Sequence, residues 1–369
     1  MNIKTKCVVV GASAVGSAAA YYLSKKGIDV ALLEEHPIAG KFHKCSGLFS
    51  KKGLEKTGLK YKESILNPIR KARIVFPEDE FEVGSSIIQA YVTNRQKLDE
   101  MFCEQANHAG ASVFFNKRFE SGFLVNDKVL SNFSGNFSAE SEFLLGCDGV
   151  NSTVSAVFGF PKISSDNIAL AYEVEIGNCN IAEKDKVIVF LNQKKYPGFF
   201  AWMIPVSESI ARIGVATNKH EKLNLSKQNL FFEKQIIDIL KGKKIKIIRD
   251  FYHTIPIQIR QTTQKSNVLL VGDSAGQTKS TTGGGVIFGT QCAKIAADSI
   301  ESTIKNNIPL NYEYLWRNDV GKTLYAHRKM REVYNWLDNS SLNIMSKSFK
   351  LFNGPSLLSK YGDMDNILA

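Results

Sequence analysis

Residues 6–16 read Lys6-Cys7-Val8-Val9-Val10-Gly11-Ala12-Ser13-Ala14-Val15-Gly16, an apolar run that breaks on glycine and resumes in small residues. The β-branched run predicts a buried strand. The Ala-rich stretch after Gly16 predicts a helix, ending at Lys25-Lys26-Gly27 with basic residues in its last turn and a glycine cap. A glycine turn between strand and helix is a dinucleotide signature. Its first glycine makes the tight turn, its second admits a pyrophosphate, and its third lets the helix pack on the strand. Here Gly11 and Gly16 hold the outer positions, and Ser13 stands at the second. The helix N-terminus, at Ser13, Ala14 and Val15, then offers N–H groups and partial positive charge to phosphates.

Working outward, a second strand is expected at 29–33, and Glu34-Glu35 follow it where a ribose-binding acid falls. Alone, Glu34 reads equally as a surface acid at a strand end. The turn upstream favours the ribose. Two more elements repeat the logic. Cys147-Asp148-Gly149 follows an apolar strand, and Val271-Gly272-Asp273 follows another. Thr282-Gly283-Gly284-Gly285-Val286 then opens a helix, where bare backbone can approach a flat ring. A single Asp-Gly is usually a β-turn. Several such elements in this order argue for one extended cofactor.

Composition sets the limits. The chain has 369 residues, 44% hydrophobic and 22% charged, which excludes a disordered or fibrous protein. The net charge of +11 favours anionic partners. Lysine is spread without a basic block, so nucleic acid is not an expected partner. The six cysteines form no C-x-x-C pair, so no metal or redox-pair site is expected, and the usage suits a reducing cytoplasm. Residues 7–24 are uncharged, but glycine breaks them into strand and helix, which argues against a signal peptide or a spanning helix. Membrane contact is expected to be peripheral.

The resulting expectation is an α/β fold with a discontinuous Rossmann-type domain from 1–70, 90–165 and 260–305. Alternating runs such as Tyr172-Glu173-Val174-Glu175-Ile176 predict an inserted, mostly antiparallel β domain from 71–89 and 166–259. A helix is expected near 226–240, and C-terminal helices from 306–369. His108 and His253 show no ligand spacing and read as structural.

The chain resembles flavoproteins of the para-hydroxybenzoate hydroxylase type, and within them the geranylgeranyl reductase family. Lys44-Cys45-Ser46-Gly47 is similar to the family's basic-Cys-small-Gly segment, and Tyr91-Val92-Thr93-Asn94-Arg95 to the segment whose Arg contacts FAD. Pro197-Gly198-Phe199-Phe200-Ala201-Trp202-Met203-Ile204-Pro205 resembles its aromatic motif, and Tyr312-Glu313-Tyr314-Leu315-Trp316-Arg317 the start of its C-terminal helices. Asn94, Ser280 and Ile204 depart from the usual residues, and no Arg follows Ser152. The resemblance implies FAD held by these elements together with Phe119, and reduction of isolated C=C bonds in prenyl lipids. It implies Cys45 for proton transfer, and Tyr196, Phe199 and Trp202 for the isoprenoid slot, with Phe200 in the β-domain core. His43 and Lys44 are possible phosphate contacts. No second dinucleotide turn is present, so the electron donor is external: NAD(P)H or a ferredoxin. The readings to set against this are an aromatic-ring monooxygenase and a flavin-free lipid-binding homologue.

Overall fold

The computed structural model describes residues 1–41, 44–218, 236 and 246–365. His43 and, apart from Ile236, the helix expected near 226–240 lie outside the described residues.

The apolar run at the start becomes the strand Asn2–Val10, central in the first sheet. Parallel neighbours Phe137–Gly146 and Val30–Leu33 flank it, and Val268–Leu270 and Ser112–Phe114 pair outside those. Cys7 and Val9 face one core, under the helices Ala14–Lys25, Arg95–His108 and Val286–Asn306. Val8 and Val10 face another, against Phe119, Phe133 and Val154. Burial on both faces explains the continuous apolar run where alternation would mark a half-exposed strand. Val10 pairs with both Leu33 and Gly146, and Gly146 with Leu270. That register brings Gly11, Glu34, Cys147-Asp148 and Val271–Asp273 out along one carboxyl edge, where open α/β sheets bind ligands.

The second sheet has seven strands, in the order Lys246–Pro256, Ile168–Gly177, Ile210–Thr217, Ala201–Pro205, Lys186–Phe190, Lys71–Val75 and Glu80–Gly84. All its pairs are antiparallel except that between Lys186–Phe190 and Lys71–Val75. One face buries Tyr172, Val174, Phe190, Tyr196 and Ile213. The opposite face presents Ala171, Trp202, Ile204 and Ile255. A small sheet of Leu48–Ser50, Ala90–Thr93 and Ile65–Ile69 is tied to this one through Arg212, whose Nη1 donates to Ser46 O (2.7 Å) and Thr93 O (3.0 Å).

The C-terminal helices are Tyr312–Asn318, Val320–Trp336, Asn339–Leu351 and Gly354–Tyr361. Arg331 braces the loops beneath them. Its Nε donates to Ser280 O (2.8 Å), its Nη2 to Thr281 O (2.6 Å), and its guanidinium lies 4.1 Å from the Phe199 ring centroid. Burial pulls this arginine down to about 10. Among the described residues, no helix is long and apolar enough to cross a membrane.

Candidate active site

A single cavity of about 1010 Å³ runs from the carboxyl edge of the first sheet to the Trp202 face of the second. At its first end the glycine turn is sterically required. Gly11 has φ +97°, and a Cβ there would sit 2.6 Å from Cys147 O. A Cβ on Gly16 would sit 1.8 Å from Gly11 O, so only glycine lets the helix close on the turn. Ser13 is different. Its φ of −74° and ψ of −177° are open to any residue, so a serine costs the turn no backbone strain.

Glu34 is buried beside this turn. Its Oε2 accepts from Ala12 N (2.7 Å), and its Oε1 accepts from His36 N (3.0 Å) and lies 2.6 Å from His36 Nδ1. A carboxylate has about four acceptor sites. The carboxylate is therefore fixed in place with capacity left for a hydroxyl on the cavity side.

At the middle, Arg95 donates from Nη2 to both oxygens of Asp99 at 2.8 Å, and the Cys45 thiol lies within hydrogen-bonding reach of the same guanidinium. Burial works against the charged Arg95, but Asp99 and Cys45 outweigh it and hold the group above its ordinary value. Burial raises Asp99 and Asp273, and Arg95 opposes both shifts. Asp99 also accepts from the Ala14 N–H at the helix start. A Cβ on Gly285 would meet Asp273 Oδ1 at 2.6 Å, and one on Gly283 would meet Ile255 at 3.0 Å.

These residues fit an FAD. The glycines leave bare backbone along the cavity at positions where a Cβ would collide with Cys147, Ile255 or Asp273. Two buried polar atoms, Arg95 Nε and Asp148 Oδ1, have no hydrogen-bond partner among the described residues. Glu34 suits the ribose, the start of the helix Ala14–Lys25 the pyrophosphate, and Asp273 with Gly283–Gly285 the ribityl and ring portions.

The far end is apolar. Phe199 and Phe200 stack at 4.7 Å, and Phe200 meets Trp202 edge-on at 5.7 Å. Trp202 Nε1 donates to Glu173 Oε2 at 2.9 Å, and the Ser46 hydroxyl donates to the same oxygen. Glu173 is 0% exposed, its Oε1 has no hydrogen-bond partner among the described residues, and burial raises its pKa.

Nearly all the expected cofactor residues border this cavity, among them Ser13, Glu35, Lys44, Gly47, Phe119, Asp148 and Val286. Gly16 does not, because its role is packing. Phe199 and Trp202 line the apolar end; Tyr196 does not. Tyr196 projects into the core on the opposite face of the second sheet, 1% exposed, since the chain turns between it and Phe199. Phe200, expected in the core, borders the cavity instead. His253, read from the sequence as structural, also lines the cavity. Burial, with Lys44 nearby, pulls it down to about 4, so the ring is neutral, and its Nδ1 has no partner among the described residues.

Two residues escaped sequence reasoning. Asp99 carried a signal, an acid four residues after Arg95 on one helix face. Glu173 carried none, because an acid alternating with Tyr172 and Val174 looks like a solvated strand face.

Fold and site together define a dinucleotide-binding flavoprotein. The FAD binding domain family model matches residues 4–305, and the chain belongs to that family. Digeranylgeranylglycerophospholipid reductase 2 of Methanothermobacter thermautotrophicus is 27% identical, over 94% of this chain and 92% of its own. The digeranylgeranylglycerophospholipid reductase of Methanocaldococcus jannaschii is 26% identical, over 92% and 89%. A geranylgeranyl bacteriochlorophyll reductase-like protein from Thermoplasma acidophilum superposes with a TM-score of 0.87 at 22% identity, covering 100% of this chain and 94% of that one. The p-nitrophenol 4-monooxygenase of Pseudomonas putida shares the fold, with a TM-score of 0.72 at 13% identity over 99% and 100%.

Proposed function

We propose that this protein is an FAD-dependent reductase that saturates C=C bonds in the geranylgeranyl chains of membrane lipids or their precursors. One observation carries the reading. The cavity that fits FAD continues, without a dividing wall, into an aromatic and aliphatic slot, with Cys45 and Arg95 at the junction. The names of the relatives point to the same substrate class.

Reduced FAD, when bound, supplies the hydride that such a reduction consumes. The chain's own residues supply the rest. An isolated alkene has no carbonyl to absorb charge, so positioning and a proton at the second carbon decide the rate. Phe199, Phe200, Trp202 and Ile204 pack the chain and exclude water from it. The Cys45 Sγ–H bond breaks as the proton passes to carbon. The Arg95 guanidinium offsets the negative charge left on sulfur. Asp99 holds Arg95 in that position. The donor that reloads the flavin is external, NAD(P)H or a ferredoxin, and the net charge of +11 suits an acidic carrier protein.

The test is an oxygen-free incubation of dithionite-reduced protein with a detergent-solubilised geranylgeranyl lipid. A mass gain of H2 per double bond supports the reading. An unchanged lipid across varied headgroups, with flavin that reoxidises only on admitting air, overturns it in favour of a monooxygenase.

A further inference from the structure

The last two helices are held down partly by polar contacts. Beside the buried Leu342, the polar Asn343, Ser346 and Ser359 face the strand Glu80–Gly84 and the loop before it. Asn343 Oδ1 accepts from Glu78 N (3.0 Å), Ser346 Oγ donates to Asp79 (2.8 Å), and Ser359 Oγ accepts from Gly84 N (2.9 Å). Their outward faces carry Ile344, Leu351, Phe352, Leu357 and Tyr361, each more than half exposed, and the preceding helix ends on Trp336, 91% exposed. A soluble surface seldom gathers so much apolar area without a partner. Residues 339–361 contain no acid, and of their three lysines Lys350 pairs with Asp79 while Lys347 and Lys360 stand exposed on the surface. Leu358, on the same helix as Leu357 and Tyr361, both faces outward and lines the cavity. The apolar apron is therefore continuous with the cavity wall.

We infer that this apron is a docking surface for an anionic lipid bilayer, placing the cavity mouth at the membrane surface so that a lipid chain enters without crossing water. The inference rests on the reading of the cavity as the seat of a lipid chain. Aromatic and aliphatic side chains interleaved with lysines are what an interfacial helix presents to acidic headgroups. A second copy of this chain fits less well. A two-fold interface would bring the same patch against itself and set lysines against lysines, with no acid in the segment to answer them.

The experiment is vesicle sedimentation of the FAD-loaded protein. One vesicle is phosphatidylcholine alone, and the other contains phosphatidylglycerol as well. The protein should bind the anionic vesicle at least about tenfold more tightly. The combined variant Leu351→Ser, Phe352→Ser, Leu357→Ser should lose that binding while keeping its flavin absorbance and melting temperature. Lys347→Glu with Lys360→Glu should abolish the preference for anionic lipid with the apolar face intact. Equal binding to both vesicles, full binding by the serine variant, or concentration-dependent dimerisation that masks the patch overturns the inference. Turnover of detergent-solubilised lipid, measured in parallel, needs no bilayer. Its loss overturns the reductase reading, and its persistence beside failed sedimentation overturns only the docking surface.

Discussion

Trp202 Nε1 donates to Glu173 Oε2 at 2.9 Å, and this bond ties the aromatic slot to the segment that carries Cys45, because Ser46 bonds the same oxygen. Trp202→Phe keeps the ring's bulk and removes its donor from a buried carboxyl. We expect a loss of about 1–3 kcal/mol in stability, read as a lower melting temperature. The KM for lipid should rise while FAD affinity, set elsewhere, stays unchanged.

Glu173 also fixes a pH dependence. Its folded pKa is raised by burial, so above the ordinary glutamate range the native state holds a proton that the unfolded chain releases. Stability therefore falls as pH rises through that window, and the penalty is absent below it. Glu173→Gln retains an acceptor for Trp202 and cannot ionise. Thermal melts between about pH 5 and 8 should show a shallower decline for the variant than for the wild type. Parallel curves would remove Glu173 as the source.

Gly285→Ala would drive a methyl group to 2.6 Å from Asp273 Oδ1. The carboxylate must swing away from the position that suits the flavin. FAD affinity should weaken at least about tenfold, or about 1.4 kcal/mol, measured by flavin fluorescence titration. Circular dichroism should remain that of the wild type.

Arg95→Leu leaves Asp99 buried without its cation, at a cost of about 3–5 kcal/mol. Arg95→Lys restores the charge but not a planar guanidinium that meets Asp99 and Cys45 together, and should recover only part of the melting temperature.

Cys45→Ser should leave the bound-flavin spectrum and dithionite reduction intact. Alkene reduction should slow by about 10²–10⁴-fold, the usual scale of a lost proton donor. Stopped-flow reoxidation of the reduced protein by lipid reads this directly. Wild-type rates in the variant would reduce Cys45 to a packing residue.

The cofactor end was largely legible because its constraints are local. The positive φ of Gly11 and the approach of Gly16 to Gly11 O arise within one turn, and Glu34 and Asp273 emerge at strand ends that apolar runs announce. The substrate end was less legible because its residues meet through the second sheet. Tyr196, just before the aromatic motif, and Phe199 within it lie three residues apart yet pack into different cores, which spacing alone does not reveal. His253 reaches the cavity only through the pairing of its strand with Ile168–Gly177, and Glu173 looked solvated until that sheet was laid over the first. Ser13, a departure in the sequence, proved neutral to the backbone of the turn.

The central claim is that one cavity holds both FAD and a prenyl chain, with the chain's alkene reduced there. A single-turnover experiment without oxygen tests it most directly. Protein reduced by dithionite, freed of excess reductant, is mixed with a geranylgeranyl lipid while flavin absorbance and lipid mass are followed together. The account predicts flavin reoxidation matched by one H2 gained per FAD. Reduced flavin that persists beside unchanged lipid, for every geranylgeranyl headgroup offered, would contradict it.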